Sequence, residues 1–470
     1  MEEVRSLADG LVRSAAGGQG IWLIAGDRDE TFFSYRELYA DARLLLGGLA
    51  AAGVGRGDFV VLQIEEHRPF LTVFWACVLG GIVPVPLAMG SQPDHRQKVW
   101  NVWQVLRRPW LVAGSLALAK LQGAAAAERP ELAAELRDRS LAWEELAREG
   151  RPGERVAIAP GDLAFLQFSS GSTGDPKGVE LTHGNLLTNT ADLFSALGGG
   201  ADDALLGWMP LTHDMGLIGM HLMSLLSGVR HCLMPTQLFI RRPALWLKKA
   251  SEHRATILCS PNFGYHYFLS SFKPEMAAGW DLSRVRICNG GATISAAIAG
   301  RFVAALAPWG FRDGSIFPSY GLAEACVCVT TTPPWEPLRV HRLDRGSLEV
   351  GRRVAAAGAE ADGVDLVDLG LPLAHCQVRI RDEEDSVLGE DHVGHVEIRG
   401  ENVTRGYYGN PEATERAVSE GGWLRTGDLG FLRAGRLVVT GRAKDMVIVG
   451  GINHYLHDIE RLAEEVEGLE

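Results

Sequence analysis

The densest concentration of phosphate-handling chemistry lies at Leu166-Gln167-Phe168-Ser169-Ser170-Gly171-Ser172-Thr173-Gly174-Asp175-Pro176-Lys177-Gly178-Val179. An apolar run with the pattern of a buried strand enters a loop holding three glycines, four hydroxyls and one lysine. Glycines let backbone N–H groups converge on phosphate oxygens, hydroxyls add donors, and a lysine adds a point charge. The glycine spacing does not fit the Walker A loop, because Gly178 follows Lys177. Thr182-His183-Gly184-Asn185 then reads as the opening of a helix. A solvent-exposed Gly/Ser loop is the bland alternative, and the buried strand that feeds the loop argues against it.

Three further groups could do chemistry. Gly207-Trp208-Met209-Pro210-Leu211-Thr212-His213-Asp214-Met215-Gly216-Leu217 sets a His-Asp pair in an apolar stretch, where polar groups need partners or a cavity. Ser319-Tyr320-Gly321-Leu322-Ala323-Glu324-Ala325 places an aromatic ring and a carboxylate four residues apart after a strand, and Glu324 suits a hard cation such as Mg²⁺. Trp423-Leu424-Arg425-Thr426-Gly427-Asp428-Leu429-Gly430 precedes Thr440-Gly441-Arg442-Ala443-Lys444-Asp445; an Asp and an Arg on adjacent turns could grip a ribose diol. Taken singly, each has a structural alternative: a core histidine, a helix N-terminal glutamate, a surface salt bridge.

The elements that must position these residues alternate in type. Phe59–Ile64, Ala164–Phe168, Thr256–Cys259 and Val285–Cys288 read as short buried strands, and Tyr35–Ala52 and Ala244–His253 read as helices. Such alternation predicts an α/β fold with mostly parallel central strands. An alanine- and glutamate-rich stretch from Leu118 to Arg148 is helix-prone. From about Leu366 strands dominate (Cys376–Ile380, His395–Arg399, Gly430–Leu432, Arg436–Thr440), which predicts a smaller β-rich subdomain. Between Thr331 and Gly363 three prolines and many charges lack periodicity, which leaves a long loop or an inserted element.

The chain has 470 residues with 46 Lys+Arg against 58 Asp+Glu, a net charge of −12 that argues against nucleic acid as a partner. Seven scattered cysteines, none in a CxxC or a Cys/His grid, predict buried thiols in a reducing, cytoplasmic setting rather than zinc ligands or disulfides. The N-terminus shows no basic-then-apolar signal pattern. Pro69 to Pro93 carries no charge and has the length of a bilayer span, but Gly80-Gly81, Pro84 and Pro86 divide it. The expected reading is a core helix ending near Leu79 and a strand Ile82–Leu87, with no membrane span.

In this order, the four motifs resemble the adenylate-forming superfamily of acyl-CoA ligases, luciferases and peptide-synthetase adenylation domains, from Phe33-Ser34-Tyr35-Arg36-Glu37-Leu38 to Glu460. Leu166–Gly174, His213–Gly219, Ser260-Pro261-Asn262-Phe263-Gly264-Tyr265 and Gly451–Glu460 most resemble fatty acyl-AMP ligases and the acyl-ligase loading domains of polyketide and peptide synthases. The resemblance implies an N-terminal adenylation body over residues 1–440, α/β to about 365 and β-rich over about 366–440, a hinge at 441–445, and over 446–470 the start of a small α+β domain. It implies activation of a carboxylic acid with ATP and Mg²⁺, then acyl transfer to coenzyme A or to the phosphopantetheine of an acyl or peptidyl carrier protein. By motif match, Ser169, Ser172, Thr173 and Lys177 would hold the β- and γ-phosphates and Glu324 the Mg²⁺. Tyr320, followed by Gly321, would stack on adenine, flanked by Asn289, Gly290 and Gly291. Asp428 would take the ribose hydroxyls with Arg442 nearby, His213 would sit where acyl tunnel meets phosphate, and Lys444 would be the hinge.

Departures from the family pattern carry their own expectations. The family's catalytic lysine lies near the end of the small domain, beyond Glu470, so weak adenylate formation is expected of this chain. Thr293 stands where an acidic residue is common, and His395 where glutamate is usual. The extra length around Pro333 to Leu369 matches an insertion by which acyl-AMP ligases disfavour coenzyme A, which points to a carrier protein as acceptor. Met220, Ile240, Asn262, Phe263 and Tyr265 are the expected acyl-pocket residues, apolar enough for an aliphatic or aryl acid, with no acidic residue for an α-amine. His221, His231 and His266 are candidates to contact a polar substituent. The rival readings are an acyl-CoA synthetase and a non-catalytic nucleotide-binding or docking module.

Overall fold

The computed structural model describes residues 4–89, 93–149, 151–170, 176–290, 294–358, 363–419, 421–449 and 452–455. The chain forms two compact units that interleave along the sequence. The first comprises residues 1–191, 201–238 and 404–414, and the second residues 192–200, 239–403 and 415–470.

In the first unit, strands Phe59–Gln63, Val83–Pro86, Trp110–Ala113 and Ser140–Ala142 pair in parallel. The uncharged run after Pro69 resolves as the sequence predicts. Helix His67–Gly80 buries every residue from Phe70 to Gly80, and Gly81 closes it in the left-handed conformation at φ 62°. A β-carbon would strain that φ, hence the glycine. A fully buried helix needs no polar face, which is why it imitates a membrane span in sequence. Among the described residues no helix is long and apolar enough to cross a membrane.

Strands Gly20–Ile24, Arg230–Leu233 and Ala204–Gly207 are parallel neighbours, with Glu30–Ser34 antiparallel at the edge. Ser34 caps helix Tyr35–Ala51 through a reciprocal pair: Ser34 Oγ accepts from Glu37 N at 3.1 Å while Ser34 N donates to the Glu37 carboxylate at 2.8 Å. The alanine-rich stretch divides into helices Ser115–Glu128 and Pro130–Asp138, because Pro130 lacks the N–H that would continue the first.

In the second unit, Ile257–Cys259, Arg286–Gly290 and Ile316–Tyr320 are parallel, and Thr330–Thr331 and Leu371–Pro372 extend the edge antiparallel. Beyond them Cys376–Arg381, Gly394–Gly400, Leu424–Arg433 and Arg436–Arg442 form the antiparallel sheet expected of the β-rich segment. The aperiodic segment after Thr331 carries a two-stranded ribbon. Val340–Asp344 pairs antiparallel with Gly363–Val367, and Leu343, Val354, Val364 and Leu366 share a core with Phe431 and Val438. A buried ion pair, Arg436 Nε to Asp368 Oδ2 at 2.7 Å, ties the ribbon's end to the sheet. Alternation along these two strands is imperfect, which hid them from periodicity.

Cys77, Cys232, Cys259, Cys326, Cys328 and Cys376 are buried and take part in no disulfide. Burial pushes the Cys376 thiol up to about 11.

Candidate active site

The phosphate-loop sequence folds as a hairpin. Strand Leu163–Ser170 pairs antiparallel with Pro176–Thr182, so a strand intervenes between the loop and the helix that the sequence placed directly after it. That helix begins at His183, with Asn185 N donating to Thr182 Oγ1 at 3.1 Å. Leu166 and Phe168 anchor the hairpin in a core with Val61, Val85, Leu111, Trp100 and Trp103. Phe168 lies across Gly178, where a β-carbon would come within 2.9 Å of the ring. Ser172 and Thr173 lie outside the described residues.

Ser169 is the register partner of Lys177. The Lys177 Nζ sits 5.1 Å from the Tyr407 ring centroid, a cation–π contact that the sequence reading missed. Segment 404–408 straps the second strand: Tyr408 N donates to Gly178 O at 2.8 Å, Glu180 N to Gly406 O at 3.1 Å, and Thr404 Oγ1 to Glu180 O at 2.6 Å. No spacing rule links residues 230 positions apart, so this strap is legible only once folded.

Gln167 reaches from the same strand to the His213 loop. Its Nε2 donates to Thr212 O at 3.0 Å, and the side chain is buried. His213 is half-exposed, with Nδ1 2.7 Å from Asp214 Oδ1 and 3.2 Å from Met215 N. The Asp214 hydrogen bond raises the imidazole above its ordinary value. Protonated, Nδ1 donates to Asp214; neutral, it accepts from Met215 N.

In the second unit three residues from distant stretches converge. Tyr320 ends a central parallel strand, and its hydroxyl donates to Asp428 Oδ2 at 2.5 Å. Asp428 and Arg442 are register partners on neighbouring antiparallel strands, rather than on adjacent turns, and Arg442 Nε lies 3.2 Å from Asp428 Oδ1. Asp428 is 3% exposed, and Oδ1 accepts no hydrogen bond of good geometry among the described residues. Burial raises the Asp428 carboxyl above its ordinary value, against the Tyr320 and Arg442 contacts that lower it. Burial, with the Asp428 charge, also pushes the Tyr320 phenol well up. The sequence reading weighed the Tyr320 ring and missed its hydroxyl; the ring is 2% exposed.

Glu324 lies half-buried in the 3-10 turn Ala323–Ala325. Gly321 before it is obligatory, because a β-carbon there would fall 1.8 Å from Val327 O. Asn289 and Gly290 end strand Arg286–Gly290 opposite Pro318 and Ser319, while Gly291 and Thr293 lie outside the described residues. Lys444 is exposed in the turn Ala443–Asp445 that follows Arg442. His395 meets Glu383, with Nε2 3.2 Å from Oε1.

The expected acyl-pocket residues have unequal surroundings. Met220 is buried against Gly207, and Tyr265 is buried with its ring 4.8 Å from that of Phe302. Asn262 is half-buried and accepts from Ser295 N at 3.4 Å. Ile240 and Phe263 are 39% and 47% exposed.

An unfilled acceptor on a buried carboxylate beside an arginine fits a vicinal diol, which offers two donors. A single half-buried carboxylate fits a metal whose other ligands are phosphate oxygens. Among the described residues no three His, Cys, Asp or Glu side chains are disposed to hold a metal by themselves.

Comparison with known proteins gives the chain its family. A Caulobacter vibrioides protein that carries an acyl-CoA synthetase name is 34% identical over 99% of this chain and 81% of its own length. The medium-chain-fatty-acid–[acyl-carrier-protein] ligase JamA of Moorena producens is 31% identical over 94% of this chain and 76% of its own. A solved structure from work on fatty acyl-adenylate ligases of E. coli and L. pneumophila superposes with a TM-score of 0.91 at 30% identity, covering all of this chain and 84% of that one. Residues 13–408 match the family described as AMP-binding enzyme, and the chain belongs to that family.

Proposed function

We propose that the protein activates a carboxylic acid, aliphatic or fatty, with ATP to an acyl-adenylate and passes the acyl group to the phosphopantetheine thiol of an acyl or peptidyl carrier protein in polyketide or peptide biosynthesis. The observation that carries the reading is the Tyr320–Asp428–Arg442 constellation, a buried carboxylate oriented by a phenol with one oxygen left to accept. In the first half-reaction a carboxylate oxygen attacks the α-phosphorus and pyrophosphate leaves. In the second, a thiolate attacks the acyl carbonyl and AMP leaves. Both are reactions in which a protein contributes mainly position and charge neutralisation.

Asp428 holds the ribose, and Tyr320 fixes its carboxylate. Lys177, with Ser169, Ser172 and Thr173, holds the β- and γ-phosphates that leave as pyrophosphate. Glu324 supplies the protein ligand to Mg²⁺, which balances phosphate charge when bound. His213, more readily protonated because of Asp214, stands beside the developing charge. The JamA similarity and the ribbon 340–367 favour a carrier protein over coenzyme A. The Caulobacter similarity favours the rival, an acyl-CoA synthetase.

The test mixes the protein with ATP, Mg²⁺, a panel of acids and free coenzyme A, and follows products by mass spectrometry. Acyl-AMP without acyl-CoA is the expected result, formed slowly and so read at near-stoichiometric protein. Abundant acyl-CoA makes the rival correct, and no acyl-AMP from any acid refutes the reading. Lys177→Ala and Glu324→Ala are expected to cut acyl-AMP formation at least roughly tenfold while circular dichroism stays unchanged, the loss typical of removing one charge-stabilising group.

A further inference from the structure

Two of the imidazoles that the sequence offers for a polar substituent, His221 and His231, are buried in the first unit and take no part in the half-reactions above. His221 is the fifth residue of a π-helical turn, Leu217–Leu222, that follows the short helix Asp214–Gly216 capped by His213. His231 lies in strand Arg230–Leu233, flanked in register by Ile21 and Leu205. Both are 0% exposed, with ring centroids 5.7 Å apart.

The protonation of His221 follows from its partner. The Trp75 indole N–H, which can only donate, points at His221 Nε2 at 2.9 Å. Nε2 therefore accepts, and a neutral ring must carry its proton on Nδ1. That Nδ1–H has no hydrogen-bond partner among the described residues, and neither nitrogen of His231 has one. Burial lowers His221 to about 3 and His231 well below its ordinary value, so both rings are neutral at physiological pH. The titratable neighbour is His67, half-buried at the start of the helix that also carries Trp75; its positive charge would oppose protonation further.

Two donors and one acceptor are thus buried together without partners. Each unmade bond costs about 1–3 kcal/mol, so three together favour a polar guest that would satisfy them. π-Helical turns concentrate at functional sites, and this one joins the His213 loop to the imidazole pair. Beside it the Met220 side chain packs against Gly207, and Ser224 Oγ donates to Met220 O at 2.6 Å.

We propose that His221 and His231 form an oxygen-reading subsite, which selects acids whose chain bears a hydroxyl or keto oxygen. That oxygen accepts from His221 Nδ1–H and exchanges a second hydrogen bond with His231. The inference rests on the acyl-adenylate reading above and names the substrate class of that site.

The experiment compares kcat/KM for adenylate formation on matched acids: a straight-chain series and its hydroxy and keto analogues, each position in turn. The wild-type protein is expected to prefer an oxygenated acid at one position by at least roughly 100-fold, since a site built to hydrogen-bond rejects an analogue lacking the group strongly. His221→Leu and His231→Leu should each reduce that ratio at least roughly tenfold, with turnover of the unsubstituted acid within about threefold of wild type. His221→Asn, whose Nδ2–H stands near the lost Nδ1–H, should keep part of the ratio even if the leucine variants fold poorly. A ratio unchanged in the leucine variants, or no oxygenated preference at any position, overturns the proposal and leaves a structural water as the guest. Absence of adenylate from every acid counts against the function instead. The subsite is then read from the ¹⁵N shift of His221 Nδ1 during acid titration, where movement with oxygenated acids alone supports it and no movement overturns it.

Discussion

Replacing Tyr320 by Phe removes one oxygen from a residue that is 2% exposed and leaves its ring in place, so packing is nearly conserved. What is lost is the hydroxyl that donates to Asp428 Oδ2 at 2.5 Å. A hydrogen bond to a charged group is worth about 1.5–3 kcal/mol, and here the deprived carboxylate stays buried, so the upper half of that range is expected. At 1.4 kcal/mol per decade this is roughly a 30- to 150-fold shift in the folding equilibrium. The loss should depend on pH with a definite sign. Asp428 already has a raised folded-state pKa, and the Tyr320 bond lowers it; without that bond it rises further. The stability gap between wild type and Tyr320→Phe is therefore full above both folded-state values, where Asp428 is ionised. It shrinks as pH falls through them, because a protonated carboxyl needs the donor less. Urea melts followed by circular dichroism between pH 4 and 8 measure the gap, and the cycle with Asp428→Asn isolates the pair. A gap under about 0.5 kcal/mol at neutral pH, or one unchanged by pH, would refute the assignment of the hydroxyl to an ionised Asp428.

Other consequences follow from the same kind of geometry. Asp368→Ala takes from the buried Arg436 guanidinium the carboxylate 2.7 Å away and leaves the half-buried Glu336, 3.5 Å distant, as its remaining counter-charge; a destabilisation of about 3 kcal/mol, the low end for a broken buried pair, is expected in the same melts. Burial alone would raise Asp368, but the hydrogen bonds from His341, Arg436 and Gly370 hold it below its ordinary value. Its contribution is thus present at neutral pH and lost in acid, as pH falls through the lowered value. Asp214→Asn removes the contact that raises His213, so the imidazole NMR titration should move to lower pH; an unmoved midpoint would show that Asp214 does not set its charge.

Much of the candidate site was readable along the chain because its residues come in short local motifs. The loop around Lys177, the Tyr320–Glu324 segment and the Asp428…Arg442 stretch each declare their chemistry by composition within about fifteen residues. The α/β alternation was legible for the related reason that burial imposes a period: strand Phe59–Gln63 and helix Tyr35–Ala51 end within one residue of the expected bounds. Periodicity failed at the ribbon Val340–Asp344 and Gly363–Val367, where partial exposure blurs the alternation and the pairing partner lies about twenty residues away.

Pairings between distant residues had to await the fold. Nothing in the sequence sets Tyr407 over Lys177, joins the Tyr320 hydroxyl to Asp428, or ties Gln167 to the carbonyl of Thr212. Nor does it tell that Trp75 fixes the tautomer of His221, whose ring centroid lies 5.7 Å from that of His231. Residue type and local spacing determine which chemical groups are present and the element each sits on, since both depend on interactions within a few residues. Which donor meets which acceptor, and which polar atom is buried without one, depends on strand register and layer packing; these are set by the whole core, so tertiary structure alone decided them.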